Sequence, residues 1–169
     1  MRLTAPRQRR LNGRLIGVRY GKHIHLLVLS PHLQHEEPNC IHPPDIEDRL
    51  WRYIGGIARN HKTTAIQIGG VNDHVHALVM APPTVAPFEI AKYLKGDSSK
   101  WIHEEFADLQ DFAWQDGYGA FAVSKSNVPG IVSYIQNQRA HHQTQTFQDE
   151  YRKFLKRHGV EYDERYLWG

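Results

Sequence analysis

Two histidines two residues apart, His74 and His76, open an apolar alternation in the run Gly69-Gly70-Val71-Asn72-Asp73-His74-Val75-His76-Ala77-Leu78-Val79-Met80. Residues i and i+2 of a strand point to the same face, so both imidazoles can converge on one point. Such a pair at a strand end is the beginning of a divalent-metal site. Downstream, Tyr134 and Gln138 stand four apart, which puts them on one face of a helix. The Gln138 side-chain oxygen is a hard ligand suited to Mg2+ or Mn2+. Two imidazoles and one amide oxygen leave coordination positions open for water and substrate.

That set suits phosphoryl transfer. A divalent cation held by His74, His76 and Gln138 can neutralise charge developing on a phosphodiester and orient it for in-line attack. Tyr134 is then the candidate nucleophile, forming a covalent phosphotyrosine and releasing a 3′-hydroxyl. A phenol titrating near pH 10 needs activation at neutral pH, and His141, one turn beyond Gln138, is a candidate base.

These residues need elements to carry them. His23–Leu29 is apolar and β-leaning, a first strand. Asp45 can cap a helix running to about His61, with Ile46, Leu50, Ile54 and Ile57 at helical spacing. Thr63–Ile68 predicts a second strand, joined through a Gly69–Asp73 turn to a third, His74–Met80. Pro87 opens a helix that the Lys95–Trp101 segment interrupts or bends before it resumes toward Phe106. Gly117–Val123 alternates as a fourth strand. Asn127 caps a helix reaching His141 or His142, with Val128, Ile131, Val132 and Ile135 as its docking stripe. Thr146 caps a last helix through Lys156, stopped by Gly159. The order β-α-β-β-α-β is that of a ferredoxin-like α+β fold: an antiparallel four-strand sheet with helices on one face, and additional C-terminal helices.

Composition narrows the class. The 169 residues suit one domain over 23–169, preceded by a basic arm, 1–22. Seven of the 21 basic residues, from Arg2 to Lys22, lie in that arm, and no acid appears before Glu36. The other 14 face all 18 acids, so the net positive charge resides in the arm, where it can screen phosphates. No apolar run approaches the roughly 20 residues a membrane helix needs, and the N-terminus has no apolar core of a secretory signal. The one cysteine, Cys40, forms no internal disulfide and excludes a multi-cysteine zinc knuckle; a reducing, cytoplasmic setting is expected.

The run Asn72–Val79 resembles the histidine–hydrophobic–histidine motif of single-tyrosine transposases, and Tyr134-Ile135-Gln136-Asn137-Gln138 resembles their nucleophile helix. Leu94–Trp101, Trp114–Phe121, His141–Tyr151 and Tyr162–Trp168 are similar to further segments of that family, including REP-associated tyrosine transposases. The resemblance implies a metal-dependent endonuclease and strand transferase acting on single-stranded DNA through a 5′-phosphotyrosine link. It further implies recognition of hairpin or palindromic ends and a homodimer, with Tyr134 as nucleophile and His74, His76 and Gln138 as metal ligands. One departure is Ser30-Pro31-His32 after the first strand, where relatives commonly carry a basic pair; the basic arm is a substitute for its DNA contacts.

Competing expectations are a replication or relaxation nickase of the same motif class and a non-catalytic ferredoxin-like nucleic-acid-binding module. The second pair, His23 and His25, lacks the preceding Asn-Asp turn and reads as structural. Trp51, Trp101 and Trp114 read as core or interface fillers, and Lys95, Lys100 and Arg139 as either phosphate contacts or solvated helix positions.

Overall fold

The run that carries the two histidines forms β5 (His74–Ala81), a strand buried on both faces and therefore central in its sheet. The computed structural model describes residues 10–11, 14–15, 22–30, 44–71, 73–143, 146–157 and 159–164. Two short strands, β1 (Arg10–Leu11) and β2 (Arg14–Leu15), pair antiparallel. The rest of the basic arm before Lys22, the Pro31–His32 departure and Cys40 lie outside the described residues, as does the side chain of Asp45 and hence its capping role.

The main sheet holds β3 (His23–Leu29), β4 (Thr64–Val71), β5 and β6 (Gly119–Ala122) in the order β4-β5-β3-β6. All its pairings are antiparallel, as the ferredoxin-like order requires. Helices α1 (Pro44–Asn60) and α2 (Pro87–Glu105) are the two crossovers. They bury Leu50, Ile54, Ile90 and Leu94 against Leu27, Leu29, Val75, Ala77 and Val79 on one sheet face. The C-terminal helices take the other face. There Ile135 of α3 (Val128–Gln136) and Phe147 and Leu155 of α5 (Phe147–Arg157) pack on Leu26, Val28, Leu78 and Phe121. By the period of two, His74 and His76 point to this second face.

Four local expectations are corrected. The β4–β5 turn is shorter than 69–73: Gly69 and Gly70 belong to β4 and pair with His76 and Val75. They are glycines for want of space, since a Cβ at Gly69 would stand 2.8 Å from Ile135 Cγ2, and one at Gly70 2.1 Å from the His74 carbonyl oxygen. α2 is continuous through Gly96, with the Ser98 hydroxyl donating back to the Leu94 carbonyl at 2.5 Å. The fourth strand is shorter than 117–123. Asn127 makes no side-chain cap; it ends a 3-10 turn (Lys125–Asn127) that runs into α3.

Two capping expectations hold. The Thr146 hydroxyl accepts from the Asp149 amide at 3.3 Å, and Gly159, at φ 64°, adopts the left-handed conformation that ends the last helix. Trp51, Trp101 and Trp114 pack in or against the first core; Trp114 Nε1 donates to Ser98 Oγ at 3.0 Å, and Trp101 stacks on Tyr53.

Candidate active site

Where the two C-terminal helices cross the end of β5, the sequence-predicted residues meet. The Tyr134–His142 stretch is not one helix. Asn137 breaks it, donating from its backbone to the Ser133 and Tyr134 carbonyls and from Nδ2 to Ser133 O at 2.7 Å. α4 (Gln138–His142) restarts directly after it. Despite the break, Tyr134 and Gln138 both reach the histidines. The Tyr134 hydroxyl lies 3.4 Å from His76 Nε2, and Gln138 Oε1 lies 3.1 Å from His74 Nε2. Gln138, His74 and His76 are at most 1% exposed.

Electrostatics decide the state of the two rings. Burial pushes His76 down to about 3, so at neutral pH its imidazole is uncharged. Burial also lowers His74, against the opposing pull of Asp73. The Asp73 carboxyl is itself held below its ordinary value: burial raises it, but its bond to His74 and the nearby histidines outweigh that. Asp73 is thus an anion, and His74 Nδ1–H donates to its Oδ1 at 2.7 Å. A neutral ring with its proton on Nδ1 bears a lone pair on Nε2.

That lone pair faces the Gln138 carbonyl oxygen, so two acceptors stand 3.1 Å apart. His76 is equally ill served: among the described residues its Nδ1 is buried with no partner, and its Nε2 has only the long Tyr134 contact and Glu150 Oε1 at 3.6 Å. A cation among these atoms would convert facing lone pairs into ligands, and the carboxylate–histidine pair at Asp73 is the outer support that ligating imidazoles use. Neutral nitrogen and hard oxygen donors fit a divalent ion.

Three participants escape the sequence reading. Asp73 reads there as a turn residue only. Glu150 of α5 lies beside both histidines and accepts from Gln138 Nε2 at 3.3 Å. His142 sits 4.7 Å from His74, ring to ring. The available signal for Glu150 is its phase: Phe147, Glu150 and Phe154 at i, i+3 and i+7 place a carboxylate on an apolar stripe.

A cavity of about 370 Å3 opens beside Tyr134, lined by His141, Glu150, Lys153, Phe154 and Arg157. His141, the candidate base, stands 5.5 Å from Tyr134, ring to ring. Other expected phosphate contacts are engaged elsewhere. Lys95 Nζ donates to the carbonyls of Gln115, Asp116 and Gly117, at 2.6 to 3.2 Å. Arg139 pairs with Glu47 at 2.6 Å, and Lys100 with Glu104 at 3.8 Å. His25 pairs with Val79 and His23 with Ala81, at the opposite end of β5 from His74.

Comparison with known proteins decides the family. The family model described as "Transposase IS200 like" matches residues 35–138, from before α1 to Gln138. The chain belongs to the IS200-like transposase family. Transposases for insertion sequence element IS200 from Salmonella typhimurium and Salmonella typhi are each 38% identical over 72 residues. Each match spans 39% of this chain and 46% of the relative, so the chain covers under half the length of these curated relatives.

Solved structures of this fold include a candidate transposase from Deinococcus radiodurans R1, with TM-score 0.55 and 24% identity over 76% of this chain and 98% of that one. A REP-associated tyrosine transposase bound to a REP hairpin has TM-score 0.51 and 12% identity over 84% of this chain and 74% of that one. At these identities the likeness is one of fold. No described helix of this IS200-like chain is long and apolar enough to cross a membrane.

Proposed function

We propose that this IS200-like transposase cleaves and rejoins single-stranded DNA through a 5′-phosphotyrosine on Tyr134, with Mg2+ or Mn2+ held by His74, His76 and Gln138. The observation that carries this is the convergence of a tyrosine hydroxyl, two uncharged buried imidazoles and an amide oxygen within 3.1 to 3.4 Å contacts. Once bound, the divalent ion supplies electrostatic stabilisation of the phosphoryl oxygens. The protein's residues supply position and proton handling.

Tyr134 Oη attacks phosphorus, forming one P–O bond as the bond to the 3′-oxygen breaks. The phenolic proton leaves through solvent or His141, and a proton is taken up by the departing 3′-oxygen. Rejoining is the reverse, with a new 3′-hydroxyl attacking the phosphotyrosine. One P–O ester replaces another in each step, so no external energy source is required. Asp73 holds His74 in the tautomer that leaves Nε2 free for a ligand. The cavity beside Tyr134 offers Lys153 and Arg157 to a phosphate backbone and Phe154 to a base.

By analogy with the hairpin-bound neighbour, the substrate has hairpin or palindromic ends. The functional unit is a homodimer in the cytoplasm. The test is a hairpin-bearing single-stranded DNA pool incubated with the protein and Mn2+, followed by denaturing electrophoresis. A shifted covalent species is expected with wild type and none with Tyr134→Phe. Retention of that species in Tyr134→Phe would overturn the nucleophile.

A further inference from the structure

Glu150 stands outside the ligand set just described and outside the matched family segment, which ends 12 residues earlier at Gln138. It is 7% exposed, carried by α5 onto the second face of the sheet by Phe147 and Leu155 on either side. Its Oε1 lies 3.6 Å from His76 Nε2 and 3.3 Å from Gln138 Nε2, and its Oε2 lies 3.5 Å from His142 Nε2. One ligand atom from each of His74, His76 and Glu150 lies within 4.8 Å of the others.

Ligand bonds of about 2.1 Å place neighbouring donors about 3.0 Å apart at right angles and about 3.4 Å apart at tetrahedral angles. Two of the donor spacings here, 3.1 Å for His74–Gln138 and 3.6 Å for His76–Glu150, are close to those values, and the donors of His74, His76 and Glu150 all lie within 4.8 Å of one another. The other three donors are neutral, and the Asp73 anion reaches them only through the His74 ring, so Glu150 is the group that would set a negative charge directly against a buried divalent ion.

We infer that Glu150 is a fourth ligand of the cation, making the site two imidazoles, a carboxylate and an amide oxygen, and that cation binding fastens α5 over the sheet. The inference rests on the metal site of the proposed function. It assigns the C-terminal helix a part in assembling that site. Because α5 also lines the cavity at Tyr134, the ion would order the wall that receives DNA.

The test is Mn2+ binding to the full chain, by calorimetry and by the loss of the free-ion paramagnetic signal, without DNA. Glu150→Gln, which keeps the shape, should weaken Mn2+ at least about tenfold, and Mn2+ should raise amide-exchange protection across Phe147–Arg157 in wild type. Unchanged Mn2+ affinity in Glu150→Gln, with affinity lost in His76→Ala, overturns the role of Glu150 and leaves the metal site standing. Absence of Mn2+ binding to wild type overturns both. Should Glu150→Gln fail to fold, the wild-type exchange measurement decides: protection confined to β4 and β5, with none gained on α5, overturns the inference.

Discussion

Gly69 tests whether the contact between α3 and the sheet sets the position of the nucleophile. An added Cβ there would stand 2.8 Å from Ile135 Cγ2 and 3.3 Å from the Ile135 carbonyl oxygen. Carbon pairs settle at about 3.5–4.0 Å, so Gly69→Ala forces roughly 1 Å of withdrawal at Ile135. The clashing methyl is fixed directly to Cβ and has little freedom to swing aside. Ile135 is 2% exposed, so the strain falls on the helix itself. Overpacking of this kind costs about 1–3 kcal/mol, whereas glycine to alanine in an uncrowded strand gains about 0.5–1 kcal/mol. The sign is therefore diagnostic.

Because Tyr134 precedes Ile135, the same shift moves its hydroxyl from His76, and about 1 Å of misplacement costs up to about a hundredfold in rate. The assay is urea unfolding of Gly69→Ala in the wild-type and Ile135→Ala backgrounds, with the rate of adduct formation measured in parallel. Gly69→Ala should destabilise the first and be neutral or stabilising in the second, a coupling of about 1–3 kcal/mol. Gly69→Ala as stable and as reactive as wild type would refute the argument.

Two further expectations concern charge. His76, lowered by burial to about 3, binds a proton in the unfolded chain near pH 6.5 but not in the fold, so stability is present above pH 6.5 and lost as pH falls toward 3. Without metal, lowering pH from 7.5 to 5.0 should cost about 2 kcal/mol from His76 alone. His74 and His142 act in the same direction, and Glu150, raised by burial, opposes them; urea titrations in EDTA that show no loss would contradict the buried neutral pair. Arg157→Ala should weaken binding of single-stranded DNA and flatten its salt dependence by about 0.7 in log–log slope. An unchanged slope would place the backbone elsewhere than in the Tyr134 cavity.

Much of this arrangement is legible in the sequence because it is periodic. The alternation after His74 specifies a strand with both imidazoles on one face, and the Val128–Ile135 stripe specifies the helix that brings Tyr134 to them. Gly69 and Gly70 misdirect the reading: they signal a turn, yet they are glycines because α3 and the hairpin backbone leave no room for a side chain. Gly96 reads as a break, but α2 continues, since one glycine costs a long packed helix only about 1 kcal/mol. Asn137 is the converse, a residue of no particular alarm that ends α3 by bonding its side chain to the Ser133 carbonyl. Glu150 and His142 are the deeper omission. Isolated charged residues on a helix are solvated by default, and their inward direction depends on how α5 crosses the sheet, a tertiary relation with no local code.

The most direct test of the account is the identity of the covalent link. Protein trapped on single-stranded hairpin DNA in Mn2+ is digested with nuclease and protease and mapped by mass spectrometry, with the released DNA fragment end-analysed. The expected result is a 5′-phosphonucleotide on Tyr134 and a free 3′-hydroxyl on the released strand. Attachment at any other residue, or a link through a 3′-phosphate, would contradict it.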